Sequence, residues 1–374
     1  MTRQLLVLVS ILAQACVWAQ AVPAPAQRVS HVMDAYQGAW SLSMSAREKE
    51  QASQPASARD AHAEPVDGAG PRLDALRQTR NAALIRSQGS LGSADRAAIQ
   101  QQAEALSRGF PNSFEAHLAN YYAEFPTATS FSHLALAHAS NPERDELLAP
   151  MLTLALRDGD EGRLAAAAKA MKERGQMAAG LTDLARDILL GVDRGGILVT
   201  AGEMDGFPVL LRQYAEGERR DVLVIDLRLL SDGDYRSRAW RLAGANGDAP
   251  ATSDGFLGNV HLATARPVHL SLAVGRSIAA PLADQLHVAG LTLRLTAAEC
   301  CDTNKLESVW KAMRKTRSAG PLSRNYVVPA AALLKHYRSA GDESKASELE
   351  HELRRLANEL GMTRELIANG ILQH

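Results

Sequence analysis

The sequence predicts helical hairpins that flank a small α/β domain with a parallel sheet. Two short apolar runs rich in β-branched residues, Ile197 to Thr200 and Val222 to Leu227, enclose an amphipathic stretch of about twenty residues. This order predicts a strand, a crossover helix and a second parallel strand, and such units are right-handed. Short amphipathic helices lie before and after this unit in the sequence. The α/β part is therefore predicted to be Rossmann-like.

Length and composition are those of a folded protein with more than one core. The chain has 374 residues, of which 46% are hydrophobic and 22% charged, and its net charge is -1. Because the basic residues are scattered and the net charge is small, we expect no nucleic-acid partner. Cys300 and Cys301 are adjacent, and two interpretations are open: a pair of half-buried thiols, or cysteines with a redox or intermolecular role.

Residues 1–21 have the features of an export signal. Arg3 supplies the positive charge, Leu5 to Ala13 the apolar core, and Ala19 and Ala21 the small residues at a cleavage site. A lipoprotein anchored through Cys16 is an alternative. No other stretch is apolar enough to span a bilayer. We therefore expect a periplasmic or secreted protein with no transmembrane segment after signal cleavage.

Residues 22–72 are predicted to form a linker, because small and polar residues dominate there and few large apolar side chains are available. Helical patterning begins near Leu73, and Ser93 is the predicted N-cap of the next helix. A helical domain is predicted over residues 73–190. Its later helices are Phe114 to Ala123, Thr129 to Ala139, Glu143 to Asp158, Gly162 to Arg174 and Ala178 to Leu190.

This hairpin pattern resembles the tetratricopeptide class of helical repeats. Ala116 and Tyr122 have the character of that repeat, and so do the junctions Asn141-Pro142-Glu143 and Gly159-Asp160. The turn Gly341-Asp342 between two C-terminal helices repeats the motif. A plain helical bundle would explain the same pattern, and the sequence leaves both interpretations open.

The α/β domain is predicted to cover residues 191–298 and the C-terminal hairpins residues 303–374. An exposed loop is predicted over Gly244 to Gly258, because Gly, Asp, Asn and Pro are frequent there. Further strands are predicted at Val260 to Thr264, Val268 to Ala273 and Leu291 to Thr296, and a short helix at Ala280 to Ala289. The predicted C-terminal helices are Lys305 to Ser318, Asn325 to Ser339, Glu343 to Leu360 and Thr363 to Leu372.

The loop after the first strand is the predicted ligand site. Open α/β sheets bind ligands beyond the carboxyl ends of their strands, and this loop carries Glu203 and Asp205. The two carboxylates could form an acid and base pair or hold a divalent cation. Alternatively, they cap the helix that follows, with Pro208 in its first turn. The candidate ligand-binding residues are Thr200, Gly202, Glu203, Asp205, Phe207 and Asp226.

No cofactor, metal site or catalytic residue is predicted elsewhere. The glycines of Gly191 to Gly196 precede the first strand, whereas a dinucleotide-binding fingerprint follows one. His261, His269 and His287 could gather near one sheet edge. No nucleophile, base and orienting group can be assigned to them, and lone histidines on apolar strands are usually structural.

Several short segments between residues 195 and 296 stand in a specific order. They are Gly196-Ile197-Leu198-Val199-Thr200, Gly202, Asp205, Phe207-Pro208, Glu216-Gly217, Arg220-Asp221-Val222, Arg266-Pro267-Val268 and Gly290-Leu291. This order resembles the extracytoplasmic tail of a family of polytopic bacterial membrane proteins related to protein O-mannosyltransferases. In that tail, Gly-x-Leu-x-Thr-x-Gly-Asp-Asn-Asp-Thr-Phe-Pro precedes Glu-Gly-x-Arg-x-Asp-Val.

Two departures limit what the resemblance implies. The acidic turn of the family, Gly-Asp-Asn-Asp-Thr, is Gly202-Glu203-Met204-Asp205-Gly206 in this chain. The multi-span membrane core that would hold a lipid-linked sugar donor is missing from the sequence. The resemblance therefore implies a soluble relative of the tail module rather than a transferase that acts alone.

Two functions follow as expectations. The first is an exported, non-catalytic interaction or scaffold module of the bacterial cell envelope, which binds a protein or peptide partner, such as a membrane glycosyltransferase. The second is an accessory protein or enzyme in envelope glycan or glycoprotein assembly that uses Glu203 and Asp205. Aromatic residues make up only 5% of the chain, which favours protein binding over sugar stacking.

Overall fold

The computed structural model describes residues 68–86, 91–296 and 302–373. The predicted signal, the alternative anchor Cys16, nearly all of the predicted linker, and the pair Cys300 and Cys301 lie outside the described residues. The described part is mostly helical and contains one small mixed sheet. It divides into two compact units, one ending at Met177 and the other beginning at Ala178. None of the described helices combines the length and apolar character that a membrane crossing needs.

The first unit is built from helices, and α3 packs on α4 and α5 on α6. The predicted helices are found, and Ser113, Thr127 and Asp160 cap three of them by accepting a backbone N–H. The bounds are α1 (Ala69–Arg86), α2 (Ser93–Gly109), α3 (Phe114–Glu124), α4 (Ala128–Ser140), α5 (Leu148–Asp158), which a 3-10 turn precedes, and α6 (Glu161–Glu173).

Two details of the first unit differ from the prediction. Helix α1 begins at Ala69, inside the predicted linker, with Pro71 in its first turn, where the missing N–H of proline is tolerated. The assignment of Ser93 as N-cap is wrong. Gly92 takes the extended cap position, and its carbonyl accepts the N–H of Arg96, so Ser93 is already the first helical residue.

Aromatic rings fill the hairpin between α3 and α4. Tyr121 packs against Phe125 and Phe131 with ring centroids 5.7 and 6.0 Å apart, and Tyr122 lies 5.2 Å from Tyr121. The peptide bond between Phe125 and Pro126 is cis. Offset and edge-to-face ring contacts of this kind hold the two helices in one arrangement.

The second unit contains the sheet, with helices before, between and after its strands. Its first elements are α7 (Ala179–Gly191), β1 (Ile197–Thr200), α8 (Glu203–Ala215), β2 (Leu223–Asp226), α9 (Gly233–Leu242), α10 (Ser253–Ala263) and β3 (Val268–Ser271). The later ones are α11 (Arg276–Ala279), β4 (Leu286–Val288), β5 (Thr292–Leu295), α12 (Thr303–Ala312), α13 (Val327–Ala340), α14 (Glu343–Leu360) and α15 (Thr363–Ala368).

The strand order of the sheet is β2-β1-β3-β5-β4. Strands β1 and β2 are parallel, as predicted, and β3 is parallel to β1. Strand β5 is antiparallel to β3 and β4, so the sheet is mixed, and the prediction of a parallel sheet holds only for β1, β2 and β3. The connection from β4 to β5 is a tight turn around Gly290, whose φ is 76°, and a turn this short joins only antiparallel neighbours.

Three further predictions are corrected. The loop predicted over Gly244 to Gly258 ends at Thr252, because α10 begins at Ser253. The strand predicted at Val260 to Thr264 is the end of α10. Thr252 caps that helix, and its buried residues Phe256, Leu257 and Val260 recur at helical spacing. The helix predicted at Ala280 to Ala289 is a 3-10 turn that ends at Gln285 and leads directly into β4.

Candidate functional site

The predicted ligand site lies at the carboxyl edge of the parallel strands. Thr200 ends β1 and Asp226 ends β2, and the two are register partners. Glu203 begins α8 directly beyond β1, and Asp205 lies in the first turn of that helix. We call Glu203, Asp205 and Asp226 the acidic edge. The prediction from the sequence brings together residues that are indeed neighbours in space.

Asp205 caps the start of α8. Its carboxylate accepts hydrogen bonds from the N–H of Ala201 at 2.9 Å and from the N–H of Gly202 at 3.0 Å. It also forms a hydrogen bond with the side chain of Ser271 on β3. Only 1% of its surface is exposed. Burial raises the pKa of Asp205 above the usual value for aspartate, although the hydrogen bonds oppose this shift. The sequence left two roles open for Asp205, in ligand chemistry or as a helix cap. Its contacts are those of a helix cap.

Arg228 joins the other two carboxylates of the acidic edge. Its Nη2 donates to Asp226 Oδ2 at 2.6 Å, and its Nε donates to Asp226 Oδ1 at 3.0 Å. Its Nη1 donates to Glu203 Oε1 at 2.5 Å. Burial disfavours the charged guanidinium, but the two carboxylates outweigh this effect and raise the pKa of Arg228.

Arg228 is a residue that the sequence analysis missed. A signal was present, because Arg228 follows the candidate Asp226 by two residues, in the turn where β2 ends. The N–H of Arg228 donates to Asp226 Oδ1 at 2.9 Å, so the pair forms locally. Only the contact with Glu203 required knowledge of the fold, since it joins the ends of two neighbouring strands.

The backbone at Gly202 lies close to this arginine. Its φ is 149°, and a Cβ added there would lie 2.5 Å from Arg228 Nε. The ring of Phe207 is 5.8 Å from the guanidinium carbon. Thr200 donates from its hydroxyl to the carbonyl of Ile225 at 3.3 Å. Gly202, Glu203, Phe207 and Asp226 thus lie around Arg228, whereas Thr200 and Asp205 bond to the neighbouring backbone.

Chemical use of the acidic edge would require the release of one of these contacts. The exposed fraction is 2% for Asp226 and 9% for the Glu203 side chain. Tyr235 closes the same edge: its hydroxyl accepts the N–H of Asp226, and burial raises its pKa. In the described part of the chain, no group of three or more His, Cys, Asp or Glu side chains is placed to hold a metal ion.

A second polar cluster surrounds Asp193. Its carboxylate lies 3.2 Å from His269 Nε2 and 3.5 Å from Arg294 Nε, and it contacts Lys305 Nζ. Hydrogen bonds with His269 and Lys305 hold the pKa of Asp193 well below its usual range. His269, Arg294 and His287 are register partners along one row of the sheet.

The three histidines that the sequence suggested could gather at one sheet edge do not all lie together. His269 and His287 share a row of the sheet, whereas His261 lies on α10. A solvent-open cleft with about 370 Å³ of empty space is lined by His287, Arg294 and Lys305. No sequence signal pointed to Asp193 and Lys305, because they are 112 positions apart.

We expect Asp205→Ala to lower the free energy of unfolding of the second unit by about 2–4 kcal/mol, because the N–H groups of Ala201 and of the buried Gly202 lose their acceptor. Urea unfolding followed by tryptophan fluorescence measures this, since Trp240 and Trp310 are both buried in that unit. Asp234→Ala is the matched control, because Asp234 is exposed in the first turn of α9. An equal loss in the two variants would contradict the capping role.

Comparison with protein-family models, with curated proteins and with solved structures gives no match to this chain. The function is therefore argued from the geometry of the chain itself.

Proposed function

We propose that this chain is an exported, non-catalytic interaction or scaffold module of the bacterial cell envelope, built from tetratricopeptide-like hairpins and a small Rossmann-like domain. The main support is that the acidic edge is engaged internally. Asp205 binds backbone N–H groups, and Glu203 and Asp226 bind Arg228. A general acid or base must come within hydrogen-bond reach of a substrate proton, and these buried carboxylates face their own partners.

The resemblance to the extracytoplasmic tail of O-mannosyltransferase-like membrane proteins supports placing the module in the envelope. In the proposal, the acidic edge stabilises the start of α8 and the end of β2. The chain then acts through its surface rather than through a reaction centre. A membrane glycosyltransferase is one envelope protein that we propose as its partner.

An exposed apolar surface on which a partner protein could dock lies at the ends of α9 and α10. Leu242 and Leu262 are 54% and 67% exposed. The two helix ends are neighbours. The Thr264 hydroxyl donates to the carbonyl of Ala243 at 2.5 Å, and the N–H of Asn246 donates to the carbonyl of Ala263. We call this surface the Leu242–Leu262 patch. Single exposed leucines are ordinary, whereas two on adjoining helix ends favour a docking role.

The charges around the patch indicate the chemistry of its partner. Arg241 is exposed beside Leu242, and Arg266 Nη1 donates to the Leu242 carbonyl at 3.0 Å. The carboxylate of Asp221, in the same network, is paired with Arg219. The surface therefore fits a segment of an envelope protein in which apolar side chains stand next to carboxylates.

Site-specific photo-crosslinking in the exporting cell tests this proposal. We expect a crosslinker at Leu262 to give a discrete product that one at Leu136 does not, although Leu136 is also 50% exposed, in the first unit. The product should be lost in Arg241→Glu and retained in Arg108→Glu, which changes an exposed arginine of α2. Equal products from Leu262 and Leu136 would refute the proposed surface. So would a Leu262 product that is unchanged in Arg241→Glu.

The role in glycan assembly makes a different prediction. If Glu203 reacts with or binds a glycan, Glu203→Gln should abolish glycan binding or turnover while the fold is retained. If Glu203 only pairs with Arg228, the same variant should leave glycan assays unchanged and lower stability. The first outcome would overturn the non-catalytic proposal.

A further inference from the structure

Two histidines face each other across the hairpin of α3 and α4. The Nδ1 atoms of His117 and His133 are 3.3 Å apart, and their ring centroids are 5.6 Å apart with an interplanar angle of 33°. Both side chains are half-buried. The contact is a hydrogen bond when one ring carries a proton on Nδ1 and the other does not, so that one Nδ1–H donates to the other Nδ1.

The separation of the two nitrogens also suits a metal ion. Zinc binds histidine nitrogen at about 2.0–2.1 Å in tetrahedral geometry, so two imidazole ligands of one ion are about 3.3–3.4 Å apart. We propose that His117 and His133 form a binding site for a transition-metal ion of the imidazole-preferring class, such as Zn²⁺ or Cu²⁺. The two Nδ1 atoms are the protein ligands, and water fills the remaining positions.

Metal binding requires both Nδ1 atoms to be unprotonated. The ring that donates in the metal-free pair must therefore shift its proton from Nδ1 to Nε2, a change of tautomer without a change of charge. Neutral imidazole is the form that binds metal ions.

The hairpin holds the two rings in place. His117 is one turn before Tyr121 on α3, and His133 is two residues after Phe131 on α4. Tyr121 and Phe131 pack edge to face across the same hairpin. Because these contacts fix the helices independently of the histidines, the backbone positions of the two ligands are set before the ion arrives. Only the two facing rings have to tilt so that both nitrogens converge on the ion.

Calorimetric titration of the full chain with Zn²⁺ alone tests the site. His117→Gln and His133→Gln are compared with His138→Gln, which changes an exposed histidine of α4 outside the pair. We expect the control to bind Zn²⁺ as the wild type does, and each variant of the pair to lose affinity by at least about tenfold. Wild-type affinity in both pair variants, or no binding by the wild type, would overturn the proposal.

Two measurements on the unmutated chain keep the test independent of folding. With one equivalent of Cu²⁺, electron paramagnetic resonance should show coupling to two ring nitrogens. Zn²⁺ should protect His117 and His133, but not His138, from acylation by diethyl pyrocarbonate. Coupling to fewer nitrogens, or equal modification of the three histidines with and without Zn²⁺, would contradict the assignment.

Discussion

Replacement of Arg228 by Met should lower the free energy of unfolding of the second unit by about 3–5 kcal/mol, because it leaves buried carboxylates without their counter-charge. Asp226 and Glu203 both lose their guanidinium partner, and neither is exposed enough for water to replace it. Urea unfolding followed by the fluorescence of Trp240 and Trp310 measures the change.

A second variant separates charge from packing. Arg228→Met combined with Glu203→Gln should recover part of the loss, because one uncompensated carboxylate fewer remains. Lys311→Met is the control, since Lys311 pairs with Glu307 on an exposed helix face and should matter little. If Arg228→Met resembled this control, the buried ion pairs would not hold the acidic edge together.

Replacement of Asp187 by Ala should lower the free energy of unfolding by about 3–4 kcal/mol, because three donors, among them the buried Tyr326 hydroxyl, lose their common acceptor. Asp187 is fully buried on α7, and its Oδ2 accepts the Tyr326 hydroxyl and the N–H of Arg314, each at 2.8 Å. The N–H of Lys315 also donates to it, at 3.1 Å. The same fluorescence-detected urea unfolding measures this loss.

The hydrogen bonds of Asp187 can be separated by a double-mutant cycle. Tyr326→Phe removes one bond and should cost about 1 kcal/mol, and the two effects should be strongly non-additive. Asp183→Ala is the control, because Asp183 on the same helix is partly exposed and pairs with Arg314. A loss from Asp187→Ala no larger than that of the control would mean that water replaces the carboxylate.

The local elements could be predicted because their signals lie within a few residues. The apolar run Ile197 to Thr200 is buried on both faces of the sheet, as its composition indicates. The strand, helix and strand order alone predicts that Thr200, Asp205 and Asp226 lie at one edge of the sheet. The prediction failed at Val260 to Thr264, where a short apolar run fits both a strand and a helix, and the cap at Thr252 decides for the helix.

By itself, therefore, the sequence determined the helical hairpins, the parallel β1 and β2, and the position of the acidic edge, since hydrogen bonding and apolar periodicity within one element are local. Only the tertiary structure decided the partners of these side chains. Glu203 meets Arg228, Asp193 meets Lys305, Asp187 meets Tyr326 and His117 meets His133 across 25, 112, 139 and 16 positions. Such pairs form because packing brings distant elements together, and no short segment of the sequence encodes that packing.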